Sequence, residues 1–222
     1  MRLAVFDLDH TLLAADSDFL WGQFLCDQGL VDRSQYEAQN ASFYADYSAG
    51  TLDIAAFYRF SLAPLAQKSV LDWQPLLHCF VKEIIAPKIA TLAPALLERH
   101  RIAGDTLLIT TATHRFITEP IAALLGIRHL LATEIEIAEG RITGQLLRAN
   151  FQAGKVERLR EWMREHDAED AEITAYSDSR NDQPLLEFAH TAVAVDPDPV
   201  LRAVATQRGW QVISLRGETA NA

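Results

Sequence analysis

Two aspartates, Asp7 and Asp9, lie inside the run "AVFDLDHTLL" at Ala4–Leu13. The stretch over 3–9 reads as a buried strand, and side chains two apart on a strand face the same way. Two carboxylates on one face repel each other and lose hydration. A fold places them there when a metal ion or a chemical task uses them. Further along, three more polar groups stand at the ends of predicted strands or at the start of a helix. They are Thr110-Thr111-Ala112-Thr113, then Gly154-Lys155, then Ser177-Asp178-Ser179 followed by Asn181-Asp182.

An acidic pair, a hydroxyl, a lysine and a second acidic group suit phosphoryl transfer. A phosphate dianion repels a carboxylate nucleophile, so a hard divalent cation is needed between them. Mg²⁺ takes oxygen ligands, with one or two carboxylates among them. Asp7 and Asp178 are the expected metal carboxylates. Asp7 is also the expected nucleophile, giving an aspartyl-phosphate that divides one hard displacement into two easier ones. Asp9 is placed to protonate the leaving oxygen and later to deprotonate the attacking water. Thr111 would donate to a phosphoryl oxygen, and Lys155 would meet the charge on the transferring group. Asp182 would orient Lys155 or a metal-bound water, with Asn181 beside it.

Each assignment has an ordinary competitor. An isolated pair of aspartates two apart occurs in surface turns. Here an apolar strand precedes it and the other groups follow in order. Alternation on the second strand allows Thr111 and Thr113 together, with Thr110 in the other register. A lysine in the first turn of a helix opposes the helix dipole, which argues for a task. Asp182 also reads as an early-turn acid on its helix. Asp196, ahead of Pro197, reads as a turn or N-cap residue rather than a ligand.

Two textures of chain must position these groups. From about Asp16 to Glu98 apolar residues recur at helical spacing, broken by "SAGT" and by Pro64, Pro75, Pro87 and Pro94. From Asp105 onward strands alternate with helices: "DTLLITTAT", a helix ending at Gly126, a strand and hairpin around Glu139-Gly140, then "GKVERLREWMREH", "EITAYSDS", "NDQPLLEFA", "HTAVAVD", "PDPVLRAVATQRG" and "QVISL". Such alternation predicts a Rossmann-like α/β fold, a parallel sheet with helices on both faces. The helical block, 15–98, is then an insertion after the first strand, standing as a cap over a core of 1–14 and 99–222. In open sheets of this class the ligand site lies beyond the carboxyl ends of the strands, where all four polar groups fall.

Bulk composition narrows the function classes. The 222 residues carry 49% hydrophobic and 23% charged side chains, enough for a sizeable core. A net charge of −10 with no Lys/Arg-rich run argues against nucleic acid as partner. No apolar run approaches the ~20 residues of a membrane span. Without a charged, apolar leader at the N-terminus, a soluble cytoplasmic protein, monomer or homodimer, is the expectation. Cys26 and Cys79 are too few and too far apart for a disulfide framework and read as small core residues.

Read together, "FDLDHTLL", "DSDFLW", "LATEIE", "GRITG", "GKVERL", "YSDSRND" and "AVAVDPDPVLRAVATQRGW" resemble the haloacid dehalogenase superfamily of phosphatases over nearly the whole chain. The helical insertion just after the first motif is similar to its phosphoserine-phosphatase-like subfamily IB. The resemblance implies Asp7 as nucleophile, Asp9 as acid/base, and Asp178 with the Asp9 carbonyl as Mg²⁺ ligands. It also implies Thr111, over its neighbours, and Lys155 as phosphate binders. His10 departs from the pattern, since many relatives carry Gly there; it implies an unusual backbone angle or a substrate contact.

The same chemistry serves many substrates, so the cap must read the leaving group. Asp16 and Asp18 stand at the start of the first cap helix, as caps of that helix or as acids for an ammonium or imidazolium group. Asp16 occupies the position of a substrate-recognising acid in phosphoserine phosphatases. Arg59 would pair with a substrate carboxylate or lie on the surface. His114 would contact the substrate or begin a helix. Trp21, Phe24, Tyr44, Tyr47, Phe57 and Phe60 read as cap-core aromatics before a substrate box. The "DLDHTLL" and "DSDFLWGQFL" texture is closer to histidinol-phosphate phosphatases than to phosphoserine phosphatases. The expected activity is therefore hydrolysis of histidinol phosphate or a similar amino-alcohol phosphate, within amino-acid biosynthesis. The alternatives are phosphoserine, transfer of the phosphoryl group to an alcohol, and a non-catalytic binding protein on this scaffold. A receiver domain is excluded by layout, because receivers lack the long insertion and place their phosphorylated Asp on the third strand.

Overall fold

The computed structural model describes residues 1–217. β1 (Arg2–Phe6) is flanked by parallel strands on both sides, which is why "RLAVF" is apolar on both faces. Its alternation feeds two cores: Ala4 and Phe6 pack on the face that carries the cap, Leu3 and Val5 on the other.

The insertion follows. α1 (Ser17–Asp27), α2 (Arg33–Ala49) and α3 (Ile54–Leu62) are each capped by an aspartate, Asp16, Asp32 and Asp53, whose carboxylate accepts from backbone N–H groups of the first turn. α4 (Val70–Cys79) starts with a reciprocal Ser69/Asp72 capping box and carries Pro75 inside it rather than at a break. Gly22 lets α1 and α2 approach closely: a Cβ there would stand 2.7 Å from both Asn40 Nδ2 and Tyr36 Cε1. Cys26 is buried as expected, but Cys79, at the end of α4, is exposed and not a core residue.

The chain rejoins the sheet layer before residue 99. Ala90 N donates to Leu12 O and Leu92 N to Leu215 O, and α5 (Ala93–Ile102) packs on the sheet. On these contacts we place the end of the cap near residue 89, ahead of the boundary at 98 expected from composition.

β2 (Thr106–His114), α6 (Arg115–Leu124), β3 (His129–Ala138) and β4 (Arg141–Arg148) come next. The β3–β4 hairpin turns on Glu139 and Gly140 with φ of +51° and +73°, the pattern of a type I′ turn. Gly140 O accepts from Val70 N at 2.7 Å, so the insertion rests on this hairpin. α7 (Ala153–Glu165), β5 (Glu172–Ser177), α8 (Gln183–Phe188), β6 (Thr191–Val195), α9 (Pro199–Arg208) and β7 (Gln211–Ile213) complete the core. Asp198 caps α9, whereas Asp196 is a turn residue with φ +43° whose carboxylate accepts from Leu215 N.

The sheet runs β4-β3-β2-β1-β5-β6-β7, all parallel except β4. Chain order reverses at β1, so the crevice beyond the ends of β2, β1 and β5 is the switch point of the fold. Among the described residues no helix is long and apolar enough to cross a membrane.

Candidate active site

Beyond Phe6 the chain turns tightly through Leu8–Leu12, closed by Leu13 N donating to Leu8 O at 2.9 Å. His10 takes φ +58° in this turn, a left-handed conformation that costs a residue with a Cβ. Its ring reaches Tyr44 of α2, Nε2 to hydroxyl 3.1 Å, and its carbonyl accepts from the Arg216 guanidinium. Asp9 is fixed by several donors. Its Oδ1 accepts from Ser17 N at 2.7 Å, and its Oδ2 from Thr113 Oγ1 at 2.8 Å and Thr111 Oγ1 at 3.4 Å. Both threonines allowed by alternation therefore face the aspartate pair. Thr113 makes the shorter bond, and Thr111 Oγ1 in turn accepts from Thr113 N.

Lys155 sits in the first turn of α7, 2% exposed, with Nζ donating at 2.7 Å to Asp7 Oδ1 and at 2.7 Å to Asp182 Oδ2. Asp182 also accepts from Ser177 Oγ, so the lysine is held from behind while it faces Asp7. Burial pulls the ammonium towards neutrality, but the Asp182 and Asp7 carboxylates together outweigh it and hold the lysine charged. Asp7 is pushed up to about 7 by burial; Lys155 opposes this, and Asp182 and Asp9 add to it. Asn181 lies beside the cluster, its Nδ2 donating to Tyr47 O of α2 and its Oδ1 accepting from Gln152 Nε2.

Asp178 follows the end of β5, next to the strand end that carries Asp7. Its Oδ1 accepts from Thr11 Oγ1 at 3.0 Å, and its own N–H donates to the same oxygen at 3.1 Å. Burial first, then the Asp7 charge, pushes its carboxyl well above the usual range. Asp7 and Asp178 are thus two interacting buried carboxylates, and one lysine serves only the first. The shortfall of positive charge and the hard oxygen donors fit a divalent cation such as Mg²⁺. Among the described residues no three His, Cys, Asp or Glu side chains converge as ligands. Asp7 and Asp178 are the carboxylates that could hold such a cation.

The insertion covers these groups with a narrow cleft whose accessible space is about 50 Å³. Asp7, Asp9, Thr111 and Thr113 form its floor, and Asp16, Asp18, Asn40 and six aromatics, Phe19, Phe43, Tyr44, Tyr47, Phe57 and Tyr58, line its upper part. Tyr44, Tyr47 and Phe57 are therefore wall residues rather than cap-core aromatics. Trp21 and Phe24 are buried in the core, and Phe60 packs on Tyr36 and Phe43. Tyr58 donates its hydroxyl to Ala112 O, tying α3 to β2.

Asp16 both caps α1, accepting from Phe19 N at 2.8 Å, and faces the cleft; burial and the neighbouring Asp9 push it up to about 7. Two expected contacts lie elsewhere. Arg59 is exposed on α3 and does not line the cleft, because Phe57 and Tyr58 occupy the inward stripe of that helix. His114 is fully buried below the cleft against Phe116, with no hydrogen bond to either ring nitrogen, and burial holds it neutral down to about 3.

The profile of the haloacid dehalogenase-like hydrolases matches residues 4–187 of this chain. The chain belongs to that family. This haloacid dehalogenase-like hydrolase is 40% identical to a histidinol-phosphatase of Neisseria meningitidis, covering 97% of this chain and 99% of that one. It is 32% identical to a phosphoserine phosphatase of Mycobacterium tuberculosis, over 96% of this chain and 70% of the relative. A crystal structure of a protein of unknown function from Bordetella pertussis superposes with a TM-score of 0.90 at 39% identity, covering 96% and 98% of the two chains.

Several residues of the hydrolase site had no assignment from sequence, Ser17, Phe19, Asn40 and Tyr58 among them. Thr11 stands four residues after Asp7, inside the first motif, where a hydroxyl next to two acids was the available signal. Ser177, before Asp178, was a signal of the same kind. Asn150 left none: its buried Nδ2 donates to Thr110 Oγ1, Thr111 O and Leu131 O, bracing the end of β2 from a loop distant in sequence. Phe43 needed the phase of α2 against α3, which a single helix does not reveal.

Proposed function

We propose that this protein is a Mg²⁺-dependent phosphomonoesterase working through an aspartyl-phosphate on a small amino-alcohol phosphate, with histidinol phosphate the favoured substrate. The observation that carries the reading is Lys155 bonded to Asp7 from the sheet side while Asp9, held by Ser17, Thr111 and Thr113, faces the same cleft. An Asp7 oxygen attacks phosphorus as the bond to the leaving oxygen breaks, and Asp9 gives that oxygen its proton. Asp9, now a carboxylate, takes a proton from water as the water attacks phosphorus, which returns Asp7 and releases inorganic phosphate. Lys155 balances negative charge on the phosphoryl group and on Asp7 throughout. Mg²⁺, held by Asp7, Asp178 and the Asp9 carbonyl, would supply the further positive charge that a dianion needs beside two aspartates.

The leaving group is argued from the upper cleft. No Arg or Lys lines it among the described residues, whereas Asp16 and Asp18 do. That lining suits an ammonium and gives a substrate carboxylate no partner, which favours histidinol phosphate over phosphoserine. The relative named as a histidinol-phosphatase, at nearly full length, supports the same choice, and a role in amino-acid biosynthesis goes with it.

The test is phosphate release from histidinol phosphate and from phosphoserine, side by side, with Mg²⁺ and then with EDTA. Mg²⁺-dependent release that favours histidinol phosphate is expected. Preference for phosphoserine would overturn the substrate, and no release from either or from an aryl phosphate would overturn the enzyme.

A further inference from the structure

Three of the four acids in the cleft have donors. Asp7 has Lys155, Asp9 has Ser17 N and two threonines, and Asp16 has Phe19 N. Asp18 is different. It lies in the first turn of α1, is only 8% exposed, lines the cleft, and its carboxylate has no hydrogen bond or ion pair among the described residues. A buried carboxylate without a partner is costly, so its place is explained by something that enters.

The surroundings define what enters. Asn40 lines the same cleft and spends its Nδ2 on Phe19 O at 3.2 Å, which leaves Oδ1 as a second open acceptor among the described residues. Gly22 makes room for that amide by having no Cβ. Phe43, Phe57 and Tyr58 supply flat apolar walls, and aromatic faces attract cations. Two acceptors between aromatic walls fit a planar cation carrying two N–H donors. A simple ammonium would leave the walls unused, and a neutral alkyl group would leave the carboxylate unpaired. Burial, with Asp16 and Asp9 nearby, pushes the Asp18 carboxyl well above its ordinary range, a penalty that a bound cation relieves.

We propose that Asp18, with the Asn40 amide oxygen, seats an imidazolium ring on the leaving group, making Asp18 the residue that selects a histidine-derived alcohol. Asp16, bonded at its helix start and closer to Asp9, is left for the amine. The inference rests on the phosphatase reading above and narrows it to one end of the cleft.

The experiment compares kcat/KM for histidinol phosphate with that for O-phosphoethanolamine, which has the amine and no ring, in wild-type protein and in Asp18→Asn. The ratio should fall about 10- to 100-fold in the variant, mostly through KM, the scale of one charged hydrogen bond. A second measurement needs no turnover: L-histidinol should raise the Tm of the wild type and lose that effect in Asp18→Asn. An unchanged ratio and an unchanged response to L-histidinol in a folded variant would overturn the role of Asp18 and leave the phosphatase standing. Wild-type protein that releases phosphate from neither substrate would remove the reading on which this inference rests, and the inference with it.

Discussion

The floor and the roof of the cleft are built on opposite plans. On the floor almost every polar group is already bonded to another: Lys155 to Asp7 and Asp182, Asp182 to Ser177, Asp9 to Ser17, Thr111 and Thr113, Asp178 to Thr11. Under the roof Phe19, Phe43 and Phe57 have rings that only pack, and Asp18 and Asn40 Oδ1 keep open valencies among the described residues. The difference fits the proposed roles of the two ends. Groups that must stabilise developing charge are best fixed before substrate arrives, because reorganisation during the reaction raises the barrier. Groups that recognise one leaving group among many must stay unsatisfied until it binds, so that the wrong partner leaves them so.

The largest effect should come from the floor. Asp7→Asn removes the proposed nucleophile and is expected to lower kcat by about 10⁴-fold or more with the circular-dichroism spectrum unchanged. A variant with near-normal turnover would end the distinction between a reacting floor and a recognising roof.

Removing the metal tests the charge balance of the floor. Asp7 and Asp16 are pushed up to about 7 in the folded chain, against ordinary carboxyl values near 4 when unfolded. Between about pH 4 and 7 the folded protein thus holds protons that the unfolded chain has lost. The contribution of these groups to stability is full below about pH 4 and is lost as the pH rises through about 7, on the order of several kcal/mol. If Asp7 and Asp178 hold Mg²⁺ as proposed, the ion competes with protons for them, and the gap in Tm between Mg²⁺ and EDTA samples should widen with pH over this window. A gap that narrows would contradict the assignment of those two carboxylates.

Smaller changes sharpen the contrast. Gly22→Ala drives a methyl against Asn40 and Tyr36, which should destabilise the protein by about 1–3 kcal/mol and raise KM for histidinol phosphate more than it lowers kcat. Denaturant melts and steady-state kinetics read both. Thr113→Val should do the reverse at the smallest scale. With one of its bonds lost, Asp9 is less well fixed, and kcat should fall about 10-fold with KM little changed. A Thr113 effect on KM alone would move that residue from floor to roof.

The floor was far more legible in the sequence than the roof. A strand over 3–9 would put Asp7 and Asp9 on one face; β1 instead ends at Phe6, and the turn through Leu8–Leu12 brings both aspartates to the cleft. The α/β alternation put Lys155, Asp178 and Asp182 at neighbouring strand ends without knowledge of any helix packing. Thr113 against Thr111 stayed open because both lie on the same face, and both in fact reach Asp9. The roof depends on the rotation of three helices about one another. Spacing within α3 shows a stripe and leaves open which cleft it faces, so Phe57 and Tyr58 point inward while Arg59 points out. His114 failed for another reason: its ring is buried beneath the cleft, where a polar side chain is unexpected and no neighbour bonds it.

The left-handed turn at His10 couples these two regions through its shape. A residue with a Cβ at φ +58° carries roughly 1–2 kcal/mol of strain that a glycine would avoid, and here the contact from its ring to Tyr44 on α2 offsets part of it. The turn between the two aspartates and Thr11 is therefore least strained when the roof stands where it does. A roof that lifted away would give up that contact, so the peptide that links Asp9 to Thr11 is tied to the position of α2.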